Sequence, residues 1–354
     1  MLSTRVSTRF ASKVLSKSLS QIATGGLATR GTTCVLLHQN SRAFMTSSRP
    51  FFNVSPPKTI AEQEVKNLKE FKQRSWPHPV YSETEMKGIA IAHREAKDWS
   101  DWVALTAVRF FRWSFDFATG YKHDKQIAMG NKDAHGPDAF HMTPEKWLAR
   151  FIFLESIAGV PGMVAGMIRH LHSIRRLQRD HAWIETLLEE AYNERLHLLT
   201  FLHFRQPGWF MRMMILAGQG VFFNTFFFAY LISPRTCHRF VGYIEEEAVI
   251  TYTRAIADLE NGMIPEWTNL KAPEIAIHYF DLKPGADMRD ILMVIRADEA
   301  KHREVNHTLA NLQQEDPNPY ALTYGNDSPH PTKGHEYPKP LGWERTEIAV
   351  KAAV

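Results

Sequence analysis

Cysteine is scarce. The 354 residues contain only Cys34 and Cys237, which excludes a disulfide framework, and no CxxC pair is present. Acidic residues are absent from the first 50 positions, which hold Arg5, Arg9, Lys13, Lys17, Arg30, Arg42 and Arg49; the first carboxylate is Glu62. Those seven cations turn a formal net charge of +4 into −3 when they are removed. The basic balance therefore belongs to the leader and gives no argument for nucleic-acid binding. A Ser/Thr-rich stretch without acids, its apolar residues dispersed rather than gathered in one block, fits a mitochondrial transit peptide better than a secretory signal. Period-two alternation is also missing: from Trp99 onward no strand pattern competes with helical ones.

The chain divides into a leader at 1–50, an arm at 51–98 with little periodicity, a helical region at 99–312 and a Pro/Gly-punctuated tail at 313–354. Arg42-Ala43-Phe44 and Arg49-Pro50-Phe51 suggest processing between about 42 and 52, which would remove Cys34. Helices are expected over 100–118, from Thr143-Pro144 to about 174, and over 180–204, 209–232, 234–260 and 287–311. Thr143-Pro144 and Ser233-Pro234 each read as a cap followed by a first-turn proline. Pro161 is expected to kink the second helix, and 262–284 reads as a connection.

One short pattern occurs twice within these helices. Asn193-Glu194-Arg195-Leu196-His197 and Asp298-Glu299-Ala300-Lys301-His302 both read Asn/Asp-Glu-x-x-His. Residues three and four apart share a helix face, so each copy presents a carboxylate and an imidazole together. Two lone acidic positions interleave with them. Glu155 sits in the apolar run Phe151-Ile152-Phe153-Leu154-Glu155-Ser156-Ile157, which is costly for a carboxylate without a partner. The other is one of Glu245, Glu246 and Glu247. Successive helical residues point about 100° apart, so only one of the three faces such a site squarely. The faces of Glu245 and Glu247 are both mainly apolar, and pattern alone leaves the choice open. Tyr252, seven residues after Glu245, favours Glu245, because a phenol is a useful electron and proton donor beside an oxygen-activating metal. The order lone Glu, Glu-x-x-His, lone Glu, Glu-x-x-His is that of ferritin-like di-iron bundles. Oxygen and nitrogen donors of this kind suit iron.

At Leu154-Glu155, Asn193 to Leu198, Glu245 to Val249 and Arg296 to Arg303 the sequence resembles the iron-binding boxes of the mitochondrial alternative oxidases, over about 102–312. The resemblance implies an all-α fold: a ferritin-like four-helix bundle with two extra helices forming a monotopic membrane-binding face. It implies ubiquinol oxidation and dioxygen reduction to water at two iron ions, without proton pumping, in the inner mitochondrial membrane on the matrix side. It implies Glu155, Glu194, His197, Glu245, Glu299 and His302 as metal ligands and Tyr252 as the redox-active neighbour. Asn193 and Asp298, each four residues before a histidine, are read as acceptors that fix imidazole orientation. Arg150, Leu154, Arg112, Asp116, His238, Ile244, Ala248 and Thr251 match quinol-site positions, and Trp183 and Tyr230 match family aromatics. A homodimer is implied, and a regulatory cysteine of the plant kind is lacking.

Between Arg212 and Arg235 lie 22 residues without a formal charge, most of them in helix 209–232, long enough to span a bilayer. A single crossing would separate Glu194 and His197 from Glu245 by about 30 Å of lipid. The helix is therefore read as lying in one leaflet beside helix 100–118. The competing readings are a di-iron quinone hydroxylase, a ferritin-like iron-binding protein, and a helical membrane-surface scaffold with incidental Glu/His pairs.

Overall fold

A computed structural model describes residues 76–121, 142–323, 332–333 and 339–351. The leader and most of the loop after the first long helix lie outside the described residues. The named elements are α1 (Glu83–Lys87), α2 (Trp99–Thr119), α3 (Pro144–Arg176), α4 (Trp183–Phe204), α5 (Trp209–Ile232), α6 (Pro234–Glu260), α7 (Glu274–Phe280), α8 (Met288–Asn311) and α9 (Arg345–Lys351). The pairs Leu322–Thr323 and Thr332–Lys333 form a two-residue antiparallel ladder, and the other elements among the described residues are helical.

The helix ends follow local chemistry. Thr143 caps α3 by accepting from Lys146 N, Ser233 caps α6 by accepting from Thr236 N, and proline opens both helices. Asp287 and Asp290 form a capping box at α8. The sequence places the start of α4 three residues early. Leu177, His181 and Ala182 take positive φ, and the Asp180 carboxylate accepts from Ile184 N at 2.7 Å, so the α3–α4 turn uses those residues instead. Helix α3 continues through Pro161. The connection 262–284 carries structure of its own, a 3-10 turn at Pro265–Trp267 and α7.

Four helices make the bundle, packed most closely as α3 with α4 and α6 with α8. Helix α2 lies along α6, and α5 crosses α3 and α6. The α3–α4 contact is backbone-close at Gly162, where a Cβ would collide with the Leu187 carbonyl. Gly162→Ala is therefore expected to lower stability by about 1–3 kcal/mol, read as a lower thermal midpoint of the full chain. Arm and tail pack on the bundle. Arg94 donates to the Leu341 carbonyl and Glu344, and Trp343 N donates to Thr308 on α8. Among the described residues two helices are long and apolar enough to cross a membrane, α3 and α5; over half of the apolar stretch of α3 is buried within the bundle, whereas α5 is mostly exposed.

Candidate metal centre

Each close helix pair contributes one lone glutamate and one Glu-x-x-His. The ligand atoms of Glu155, Glu194, His197 and Glu299 lie within 4.8 Å of one another, and so do those of Glu194, Glu245, Glu299 and His302. Glu194 and Glu299 belong to both groups. The geometry therefore describes two adjacent cation positions sharing two carboxylates, with Glu155 and His197 at one end and Glu245 and His302 at the other. All six residues are buried.

The donor set fits a pair of cations. The inward atoms Glu155 Oε2, both Glu194 oxygens, His197 Nδ1 and His302 Nδ1 are buried without hydrogen-bond partners. His197 Nδ1 stands 3.3 Å from Glu299, 3.4 Å from Glu155 and 3.5 Å from Glu194, and His302 Nδ1 stands 2.7 Å from Glu194. Four carboxylates crowded together out of water repel one another. Burial, then the charge of Glu194, pushes Glu155 well above the carboxylate range; burial, then the charge of Glu299, does the same to Glu245. Burial also opposes ionisation of Glu194, yet the adjacent His197 and His302 hold it low. Two divalent cations would offset the formal charge of four carboxylates.

The three consecutive glutamates of α6 have three destinations. Glu245 enters the cluster. Glu246 accepts from His307 Nε2 at 2.8 Å and from Arg94 N at 2.9 Å. Glu247 accepts from Arg112 at the wall of a cavity. Tyr252 O–H donates to Glu155, and its ring stacks on Phe151 at 4.8 Å. Burial, then the charge of Glu155, keeps the phenol protonated far above its ordinary range.

Asp298 and Asn193 act differently from expectation. Asp298 does not orient the histidine of its own helix; its Oδ2 lies 3.0 Å from Nε2 of His197 on α4. Asn193 is a donor, giving its amide hydrogens to Asp298 and to Tyr279 Oη, both at 3.1 Å. Side chains at i and i−4 on one helix lie side by side, whereas facing helices point at each other.

A cavity of about 470 Å³ runs from the α2–α5 face to Glu155, Glu245, Glu299 and Tyr252. Of the expected quinol-site residues, Arg112, Arg150, Leu154, Ile244, Ala248 and Thr251 line it. Asp116 holds the two arginines, accepting from Arg112 Nε at 2.7 Å and Arg150 at 2.9 Å. His238 stands apart from this cavity. Its ring lies within 3.0 Å of Tyr230 Oη and 3.1 Å of Asn306 Oδ1, edge-on to Trp183. It shares a face with Glu245 and Val241, which do line the cavity, but it sits two turns before Glu245 on α6, where Tyr230, Trp183 and Asn306 enclose it.

Some neighbours of the cluster were not foreseen. Glu190, buried and bonded by Asn306 at 2.8 Å, is pushed up to about 7, chiefly by burial. It lies four residues before Glu194 on the same face, so the spacing contained that signal. His78, Tyr81 and Tyr279 come from aperiodic or short segments and left none.

Burial pushes His238 and His307 down to about 4 from an ordinary 6.5. The unfolded chain then binds protons that the native chain refuses, so stability falls as pH drops from 6.5 toward 4. Each ring is expected to withdraw about 2 kcal/mol by pH 5. Thermal midpoints measured between pH 7.5 and 5 should fall less steeply for His238→Gln than for the native chain.

A family model described as Alternative oxidase matches residues 81–311. "Alternative oxidase, mitochondrial" of Ajellomyces capsulatus is 60% identical over 316 residues, covering 88% of this chain and 86% of the relative. The protein of the same name from Emericella nidulans is 62% identical over 277 residues, covering 77% of each chain. That of Yarrowia lipolytica is 54% identical over 280 residues, covering 79% of this chain and 78% of the relative. With a match spanning most of its length and all four helices that carry the glutamate–histidine cluster, this chain belongs to the alternative oxidase family.

Proposed function

We propose that this oxidoreductase takes electrons from ubiquinol and passes them to dioxygen, yielding water, at two irons held by Glu155, Glu194, His197, Glu245, Glu299 and His302. The observation that carries the reading is the cavity joining an exposed apolar helix face to that cluster. Bound iron would supply dioxygen binding and reversible one-electron chemistry. Two quinols provide the four electrons and four protons that one dioxygen needs.

The chain's own groups do the rest. Leu154, Ile244 and Ala248 form an apolar wall for a quinone ring. Arg150 is stacked between Phe115 at 4.7 Å and Tyr121 at 4.5 Å, and its Nε and one terminal nitrogen are buried without partners. An oxygen of the headgroup would satisfy them. Tyr252 holds its proton against Glu155 Oε1 and can release hydrogen toward the centre. Glu247 and Asp116 keep Arg112 in place.

The same reading places the protein on the matrix side of the inner mitochondrial membrane, with α2 and α5 lying in one leaflet. Trp102, Phe110, Trp113, Phe210, Val221 and Phe228 are exposed along those helices, a surface that needs an apolar partner. Supporting a homodimer, Met163, Met167, Leu171 and Ile174 form an exposed stripe along one side of α3. The leader directs import and the described chain performs the chemistry.

Ubiquinol-dependent oxygen uptake by the purified chain, with cyanide present, tests the function. Uptake with quinone as the sole organic product is expected. Hydroxylated quinone would favour the hydroxylase reading, and a chain without iron would leave only a scaffold.

A further inference from the structure

We propose that the segment Trp76–Tyr81 is a strap whose His78 and Tyr81 position the His197 imidazole for metal binding, acting through Asp298. The inference rests on the metal centre described above and extends it to a part of the chain that carries no ligand.

His197 reaches the cluster through Nδ1, and its other nitrogen faces Asp298 Oδ2 at 3.0 Å. The angle of the ring therefore depends on where Asp298 is held. Asp298 is held largely from outside the bundle. His78 Nε2 lies 2.9 Å from both of its oxygens, and Tyr81 O–H donates to Oδ1 at 2.9 Å. Asn193 supplies the remaining donor, at 3.1 Å. An ionised carboxylate only accepts, so the nitrogens of His78 and His197 that face it carry hydrogen. In the neutral imidazole that leaves His197 Nδ1 with its lone pair directed inward, the tautomer a metal requires.

A second contact reaches the same ring. His78 is buried and packs edge-on against Tyr279 at 5.2 Å and Phe280 at 5.0 Å. Phe280 in turn stacks on His197, with centroids 6.0 Å apart. The strap thus touches His197 by two routes, one polar and one apolar. Pro77 and Pro79 flank His78, and each fixes its own φ, so the ring is presented from a stiff extended segment. Pro77, His78, Pro79 and Tyr81 also wall a small cavity of about 50 Å³ that meets Asn193, Asp298 and His302 and shares no lining residue with the large one. The strap therefore borders the polar side of the centre, whereas the large cavity reaches it from the apolar side. His78 and Tyr81 are positioning residues; neither touches the reacting atoms.

The test is cobalt(II) titration of the metal-free full chain, followed by its visible ligand-field bands, with no turnover involved. His78→Ala is expected to weaken cobalt binding about 10–100-fold and to change the band pattern. His78→Gln, which keeps an N–H donor, should recover most of the affinity. Trp76→Ala serves as the control for a merely structural role, because Trp76 packs on Tyr192 at 5.5 Å, while the strap's hydrogen bonds to Asp298 come from His78 and Tyr81. It should leave the bands unchanged. Native bands and affinity in His78→Ala would overturn the strap's role while leaving the metal centre standing. Equal weakening by Trp76→Ala would overturn it too. A native chain that bound no cobalt would overturn the metal centre itself.

Discussion

Glu245→Ala is expected to leave the chain folded but without a full pair of metals, with quinol-dependent oxygen uptake reduced by more than about 100-fold. Glu247→Ala should keep its metal and lose about 10-fold in kcat/KM, mostly through KM. The contrast follows from a single helix turn. Glu245 lies with Glu194, Glu299 and His302, whereas Glu247 lies on the cavity wall against Arg112. Removing Glu245 takes away a ligand; removing Glu247 frees an arginine that faces the substrate. Metal content per chain and steady-state uptake, measured on the same preparations, separate the two. Loss of metal in Glu247→Ala with retention in Glu245→Ala would reverse the assignment.

Tyr252→Phe is expected to keep both the fold and the metals and to lower kcat by about 100- to 10,000-fold. The ring remains stacked on Phe151 and beside Phe201, so packing is preserved. What disappears is the hydroxyl that donates to Glu155. A phenylalanine supplies neither the proton nor the electron of a phenol, and an unchanged KM with a collapsed kcat would mark that loss. Full activity in the variant would reduce Tyr252 to a packing residue.

The helical boundaries were legible because proline, serine and threonine mark them chemically: α5 and α6 lie where the breaks at 208 and 233 place them. The α3–α4 turn was less legible, since the left-handed conformations of Leu177, His181 and Ala182 belong to residues that do not advertise them. Glu155, Glu194 and Glu299 could be read from periodicity because a carboxylate on an apolar face requires a partner. Glu245 could not be separated from Glu247 in that way, as both faces are apolar.

What the amino-acid order determined by itself was the set of long helices, three of the four acidic positions on them, and the spacing that pairs each histidine with a glutamate. Spacing acts within one helix, over three or four residues, and needs no knowledge of the rest of the chain. Tertiary structure alone decided which carboxylates are shared between the two cation positions. It also decided that Asp298 serves the histidine of the opposite helix, that His238 is enclosed apart from the large cavity, and that an aperiodic arm supplies His78 and Tyr81. Those relations join residues about 100 to 220 positions apart, and they arise only when the helices pack and turn particular faces toward one another.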